Sequence, residues 1–254
     1  MFSVFLPLVA ELSAAASLPV LPESRLSACI TQARADITAA IVTADDWLAR
    51  EKGRERAYPL QCLGIAYTSL MRWDEAEEMF VAARDALPAD SELAWRAKLA
   101  GMAANAALAD QRPGAALMML DAASAEARGA GEVGMAGTFE IDRARALVAL
   151  DRLDEAEAAL NTARRDAAQS PEGWMLSATL ARRMGKLEDA QFFIETASGM
   201  NPVDLEIGLE AGLIAALSGR DDAARKSWQS VADAAPGSDL ALRAQDYLKQ
   251  LEQP

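Results

Sequence analysis

Residues 60–67 read LQCLGIAY and residues 73–88 read WDEAEEMFVAARDALP. In both stretches apolar residues recur at intervals of three and four, which predicts a pair of amphipathic helices. Small residues interrupt the pattern: Gly64 lies in the first stretch, and Ala76 precedes Phe80 by four residues in the second. A proline closes the second stretch, because proline cannot continue a helix. These residues therefore predict two helices that cross where their side chains are small.

The same pattern returns later in the chain with a period of 34 residues. Ala156, Ala190 and Ala224 follow one another at this interval, and so do Pro202 and Pro236. A single helix pair cannot bury its apolar face alone, so this period is typical of units that stack into a solenoid. The large apolar residues four positions after the three alanines are Leu160, Ile194 and Trp228.

The arrangement of these residues resembles the tetratricopeptide repeat. The resemblance implies an all-α, right-handed superhelical solenoid of antiparallel helix pairs with a concave side and a C-terminal capping helix. Alanine-rich composition and sparse β-branched residues favour the same all-helical class. Leu60 stands where the family usually has tryptophan, and the positions that match the family pattern are Leu63, Gly64, Tyr67, Ala76, Phe80, Ala83 and Pro88.

The predicted domain organisation follows the phase of the repeats. One copy is looser, because Ala116 lies 40 residues from both Ala76 and Ala156, which leaves the register of its first helix open. Asp36 and Ser238 are predicted helix caps. The predicted segments are an apolar leader at 1–21, a degenerate helical pair at 22–56, repeats at 57–90, about 97–136, 137–170, 171–204 and 205–238, and the capping helix at 239–254.

The N-terminus has some features of a signal peptide. Residues 2–10 are apolar, and Ala14–Ala16 offer the small residues that signal peptidase requires. Glu11 and the lack of a positive charge ahead of the apolar stretch oppose this interpretation. We expect an exported, periplasmic protein whose mature form begins near Ser17, with a cytoplasmic location as the alternative. No other apolar run approaches the roughly 18 residues of a membrane span, so no transmembrane anchor is expected in the mature chain.

Charge and composition restrict the classes of function. The formal net charge is −13, and such a surface repels nucleic acid and anionic lipid. The sequence has no histidine, which excludes catalytic triads with histidine and histidine zinc sites. Its two cysteines, Cys29 and Cys62, are too few for a zinc cage and are either free thiols or one disulfide. They lie in equivalent helices of neighbouring units, so a bridge is geometrically feasible in an exported protein, whereas a reducing cytosol would keep both thiols free.

One glycine motif resembles a dinucleotide fingerprint. Residues 129–134 read GAGEVG, which fits GxGxxG. The fingerprint requires a preceding strand and a following helix, whereas the preceding residues here predict a helix. We therefore place these glycines in a widened loop ahead of the repeat that starts at Gly137, and we expect no bound nucleotide. No other motif for a cofactor, a metal or catalysis is present in the sequence, so the protein is not expected to be an enzyme.

The family resemblance also implies a partner site. Tetratricopeptide proteins commonly bind peptides in the concave groove, along the first helix of each repeat. The implied groove is apolar with two arginines, and it suits an amphipathic segment that carries a few carboxylates. The groove positions are Gln61, Ile65, Thr68, Ile141, Arg145, Met175, Thr179, Arg182, Leu209 and Leu213.

These observations predict an interaction scaffold that binds a protein or peptide. An envelope assembly or tethering factor fits the leader and the cysteine pair. The alternative is a cytoplasmic regulatory or accessory subunit of an enzyme complex.

The lysine and asparagine clamp of chaperone-tail binders is missing, because Gln61, Ile65, Thr138 and Asp142 occupy positions that correspond to it.

Overall fold

The computed structural model of the chain describes residues 21–252. This part contains thirteen α-helices and no β-strand. The helices are α1 (Pro22–Ala35), α2 (Ile37–Leu48), α3 (Ala57–Ser69), α4 (Trp73–Ala86), α5 (Leu93–Ala109), α6 (Pro113–Gly129), α7 (Val133–Ala149), α8 (Leu153–Asp166), α9 (Pro171–Arg183), α10 (Leu187–Met200), α11 (Leu205–Leu217), α12 (Asp221–Ala234) and α13 (Asp239–Leu251).

Consecutive helices form antiparallel pairs from α1–α2 to α11–α12, and α13 packs on the last pair. First helices of neighbouring pairs also contact each other directly: α1 contacts α3, α7 contacts both α5 and α9, and α9 contacts α11. This arrangement is a helical solenoid with its first helices along one side. The predicted all-α repeat architecture with a C-terminal helix is confirmed.

The irregular spacing of the central repeats comes from longer helices. Helices α5, α6 and α7 have 17 residues each, whereas α3 and α9 have 13. One extra turn in the first helix accounts for most of the difference between the 40-residue and 34-residue intervals. As a result, α7 begins at Val133, four residues before the predicted repeat start at Gly137.

The predicted widened glycine loop is wrong. Gly129 ends α6, Gly134 lies in the first turn of α7, and only residues 130–132 connect the two helices. Gly131 occupies the left-handed region with a φ of +78°, which suits glycine in a tight turn. The motif therefore connects two helices, not the strand and helix of a dinucleotide site.

Small residues mark the helix crossings, as predicted. A Cβ atom added to Gly64 in α3 would lie 2.5 Å from the Phe80 ring of α4. In the last repeat, a Cβ on Gly212 would overlap the buried ring of Trp228. The paired helices can approach closely because glycine has no side chain at these positions.

Both predicted helix caps are confirmed, and four other helices have acidic residues at their starts. The Asp36 carboxylate accepts a hydrogen bond from the amide of Ala39 at 2.9 Å, and the Ser238 hydroxyl accepts one from Ala241 at 3.2 Å. The acidic residues at the starts of α4, α8, α10 and α12 lie in the first turn, but basic residues hold the N-cap positions there. At these four helices, the acidic side chains that complement the helix dipole are those of the first turn and not of the N-cap.

Within residues 21–252, no helix is both long and apolar enough to cross a bilayer. The predicted leader cleavage falls outside the described residues.

Candidate partner groove

The predicted groove residues lie on the first helices of the repeats, α3, α7, α9 and α11. Their exposure differs along the groove. Thr68 is exposed, Ile141 and Leu209 are buried, and the partly exposed positions are Gln61, Ile65, Arg145, Met175, Thr179, Arg182 and Leu213.

Ile141 and Leu209 are core residues, so their placement in the groove was wrong. Ile141 is 2% exposed and packs toward Gly173 of the neighbouring first helix. Leu209 is 4% exposed and belongs to the apolar cluster around Trp228. Both positions are used where helices of the solenoid pack together, and they are not available to a partner.

The first part of the groove is a cleft between α3 and α5, which we call the N-terminal cleft. It has a volume of about 430 Å³ and contains the predicted residues Ile65 and Thr68. Met102 and Asn105 of α5 form the opposite wall. Sequence reasoning missed these two residues because the 40-residue spacing hid the register of α5.

One end of this groove is organised by a hydrogen bond between repeats. The indole Nε1 of Trp95 in α5 donates to Gln61 Oε1 in α3 at 2.9 Å. Gln61 is therefore a positioning residue between two first helices. The Trp95 ring also contacts Tyr58, with the ring centroids 4.6 Å apart and the planes tilted by 47°, which extends the aromatic contact toward the N-terminal pair.

The second part of the groove is a smaller pocket between α7 and α9, which we call the C-terminal pocket. It contains the predicted residues Arg145 and Thr179. Its volume is about 80 Å³. The other lining residues are Ala144, Val148, Leu160, Leu176, Leu180 and Arg183.

Arg145 is already engaged by two carboxylates. Its Nη1 donates to Asp142 at 2.6 Å, and its other terminal nitrogen pairs with Glu172 of α9. Burial raises the pKa of the Asp142 carboxyl, and the charge and hydrogen bonds of Arg145 and Asn105 oppose that shift. Arg145 thus links α7 to α9 along the groove.

Arg182 pairs with a carboxylate of the next repeat, a contact that the sequence prediction did not include. Its guanidinium donates twice to the Glu210 carboxylate of α11, at 2.6 and 3.2 Å. Glu210 is only 8% exposed, so removing Arg182 would leave a buried carboxylate without an ion-pair partner. The pair joins neighbouring repeats, and sequence reasoning assigned the arginine to binding because it could not locate the glutamate.

The two cysteines meet between the first helices of the N-terminal units. The structure joins Cys29 of α1 to Cys62 of α3 as a disulfide, with Cα atoms 6.2 Å apart. Both residues are buried, at 4% and 0% exposure. The bond attaches the irregular N-terminal pair to the regular array.

Comparison with known proteins agrees with this architecture. Residues 107–180 match the family model of the tetratricopeptide repeat. The fold resembles that of PilW, a type IV pilus biogenesis factor, with a TM-score of 0.72 and 18% identity over 88% of this chain and 98% of PilW. It also resembles pilF of Pseudomonas aeruginosa, with a TM-score of 0.68 and 14% identity over 90% of this chain and 99% of pilF.

A third similar structure is YrrB, described as a tetratricopeptide protein with an unusual peptide-binding site. Its TM-score is 0.52, with 17% identity over 82% of this chain and 98% of YrrB. No curated protein matches the sequence of the chain. The fold and the groove define a helical-repeat protein of the scaffold type. The fold is that of tetratricopeptide-like solenoid proteins, and the family model itself covers residues 107–180 of the chain.

Proposed function

We propose that the protein is a non-enzymatic scaffold that binds a partner segment along the groove formed by its first helices. The observation that carries this proposal is the N-terminal cleft, where Ile65, Thr68 and Met102 line an open volume of about 430 Å³. Methionine suits such a surface because its flexible thioether adapts to different partners. The peptide-binding description of YrrB supports the same use of the fold.

We propose further that the protein acts in assembly within a bacterial-type envelope. The fold likeness to PilW, which is described as a type IV pilus biogenesis factor, supports this role. A signal-peptide-like leader and a disulfide suited to an oxidising compartment are consistent with it. Intact-mass analysis of protein from its native source tests the location, with a mature chain starting near Ser17 as the expected result. A full-length chain in the cytosolic fraction contradicts the envelope assignment.

Partner capture with a matched pair of variants tests the scaffold function. Crosslinking and affinity purification from the native source identify the bound protein. Met102→Glu places a charge in the N-terminal cleft, whereas Met118→Glu makes the same change on the second helix α6, where Met118 is 71% exposed. We expect the first variant to lose the partner and the second to retain it. Equal retention by both variants contradicts binding in the groove.

A further inference from the structure

The floor of the C-terminal pocket is apolar. Ala144, Leu160 and Leu180 are at most 4% exposed, and Val148 and Leu176 complete the walls with partly exposed aliphatic side chains. The backbone amides and carbonyls at this depth belong to the helices α7, α8 and α9, which satisfy them internally. The pocket therefore offers contact area to an apolar group and no buried polar partner.

The size of the pocket selects an aliphatic side chain. Its volume of about 80 Å³ is roughly half the ~150 Å³ cavity that accepts benzene in an engineered core. This space is closer in size to a leucine or isoleucine side chain than to an aromatic ring. Burial of such a side chain is a favourable contribution to binding.

The rim of the pocket carries two arginines in different states. Arg145 is held by Asp142 and Glu172. Arg183, at the end of α9, is exposed and takes part in no ion pair within the described part of the chain. In a protein with a net charge of −13, this cation adds a local positive charge beside the apolar pocket. An approaching carboxylate meets attraction at this point and repulsion over much of the remaining surface.

We propose that the C-terminal pocket holds one aliphatic side chain of a partner segment, and that Arg183 binds an acidic side chain next to it in the same segment. This inference rests on the proposed scaffold function. The acidic group comes from an internal residue, because first helices continue on both sides of the pocket and a bound segment can extend along them. The partner motif is thus an aliphatic residue adjacent to aspartate or glutamate.

A displayed library of random twelve-residue peptides, with the full chain as bait, tests the motif. We expect enrichment of peptides with an aliphatic–acidic pair. The same selection is repeated with Arg183→Glu and with Arg243→Glu, which changes an exposed arginine on α13 away from the pocket. The Arg183 variant loses the enrichment and the Arg243 variant keeps it. Helical circular dichroism verifies that both variants fold.

Titration with an enriched peptide, acetylated and amidated at its ends, tests the two contacts separately. Replacing the peptide's leucine with alanine or phenylalanine, or its glutamate with glutamine, should weaken binding at least tenfold. The peptide with glutamine should bind the Arg183→Glu protein no more weakly than the wild type, because both changes remove the same contact. Thr179→Phe, which fills the pocket from a partly exposed position, should also weaken binding at least tenfold.

The outcomes separate this inference from the scaffold function. Enriched peptides without the motif, or equal affinities of the two arginine variants, overturn the pocket assignment. If enriched peptides without the motif no longer bind the Met102→Glu variant, the groove does bind peptide segments, and only the pocket inference fails. If no peptide is enriched, the pocket inference fails, and partner capture decides the scaffold function. Tighter binding of a peptide that ends in leucine with a free carboxylate, and lacks the acidic residue, overturns the assignment to an internal side chain.

Discussion

Replacing a glycine with alanine is expected to have opposite effects at two helical positions of this protein. Gly64 lies where α3 crosses α4, and a Cβ there would lie 2.5 Å from the Phe80 ring, which is 2% exposed and cannot move into solvent. Gly199 lies in the last turn of α10, and a Cβ there has no neighbour within 4 Å. The chemical change is the same, and only the surroundings differ.

The expected magnitudes follow from two opposing terms. Alanine is more favourable than glycine inside a helix by about 1 kcal/mol. An added group in a packed core costs about 1–3 kcal/mol. Gly199→Ala should therefore raise the free energy of unfolding by up to about 1 kcal/mol. Gly64→Ala should lower it by up to about 2 kcal/mol, and a loss of about 2 kcal/mol corresponds to a fall in melting temperature of roughly 4–8 °C for a chain of this size.

Thermal and urea unfolding, followed by helical circular dichroism, measure both variants. The Phe80→Leu change provides a second check, because a smaller side chain leaves room for the new methyl group. In the Phe80→Leu background, Gly64→Ala should lower the free energy of unfolding by less than in the wild type. Such a coupling between the two substitutions indicates a direct contact. Equal or greater stability of Gly64→Ala relative to Gly199→Ala would refute the argument from close helix packing.

Three further predictions concern other contacts. Arg182→Glu should destabilise the fold by about 3 kcal/mol in urea unfolding, because it places a second carboxylate beside the buried Glu210; a change below 0.5 kcal/mol would show that the pair is dispensable. Gln111→Gly should stabilise by up to about 1 kcal/mol and Gly185→Ala should destabilise by a similar amount, because both residues have a left-handed φ, of 58° and 74°, in equivalent turns; melting curves with shifts of the same sign would contradict this. The disulfide joins cysteines that lie 33 residues apart in the sequence, so its reduction should lower the free energy of unfolding by about 3–4 kcal/mol according to the loop-entropy relation. Two alkylatable thiols in the native, non-reduced protein would exclude the bond.

The sequence by itself determined the fold class and the main packing contacts. The 34-residue period, the small residues at Gly64 and Gly212 and the caps at Asp36 and Ser238 all depend on local spacing. Local spacing specifies helices and the face that each presents to its own partner. These features could therefore be predicted without knowledge of how neighbouring repeats are oriented.

The tertiary structure decided which side chains of the first helices are exposed along the groove. Ile141 is buried, Arg182 is paired with Glu210, and Met102 and Arg183 line the groove instead. These outcomes depend on the extra turns in α5, α6 and α7 and on the contacts between first helices of neighbouring pairs. A repeat period sets the position of a residue within its helix, whereas its exposure depends on the angle and distance of the next helix in space. Only the assembled solenoid defines those two quantities.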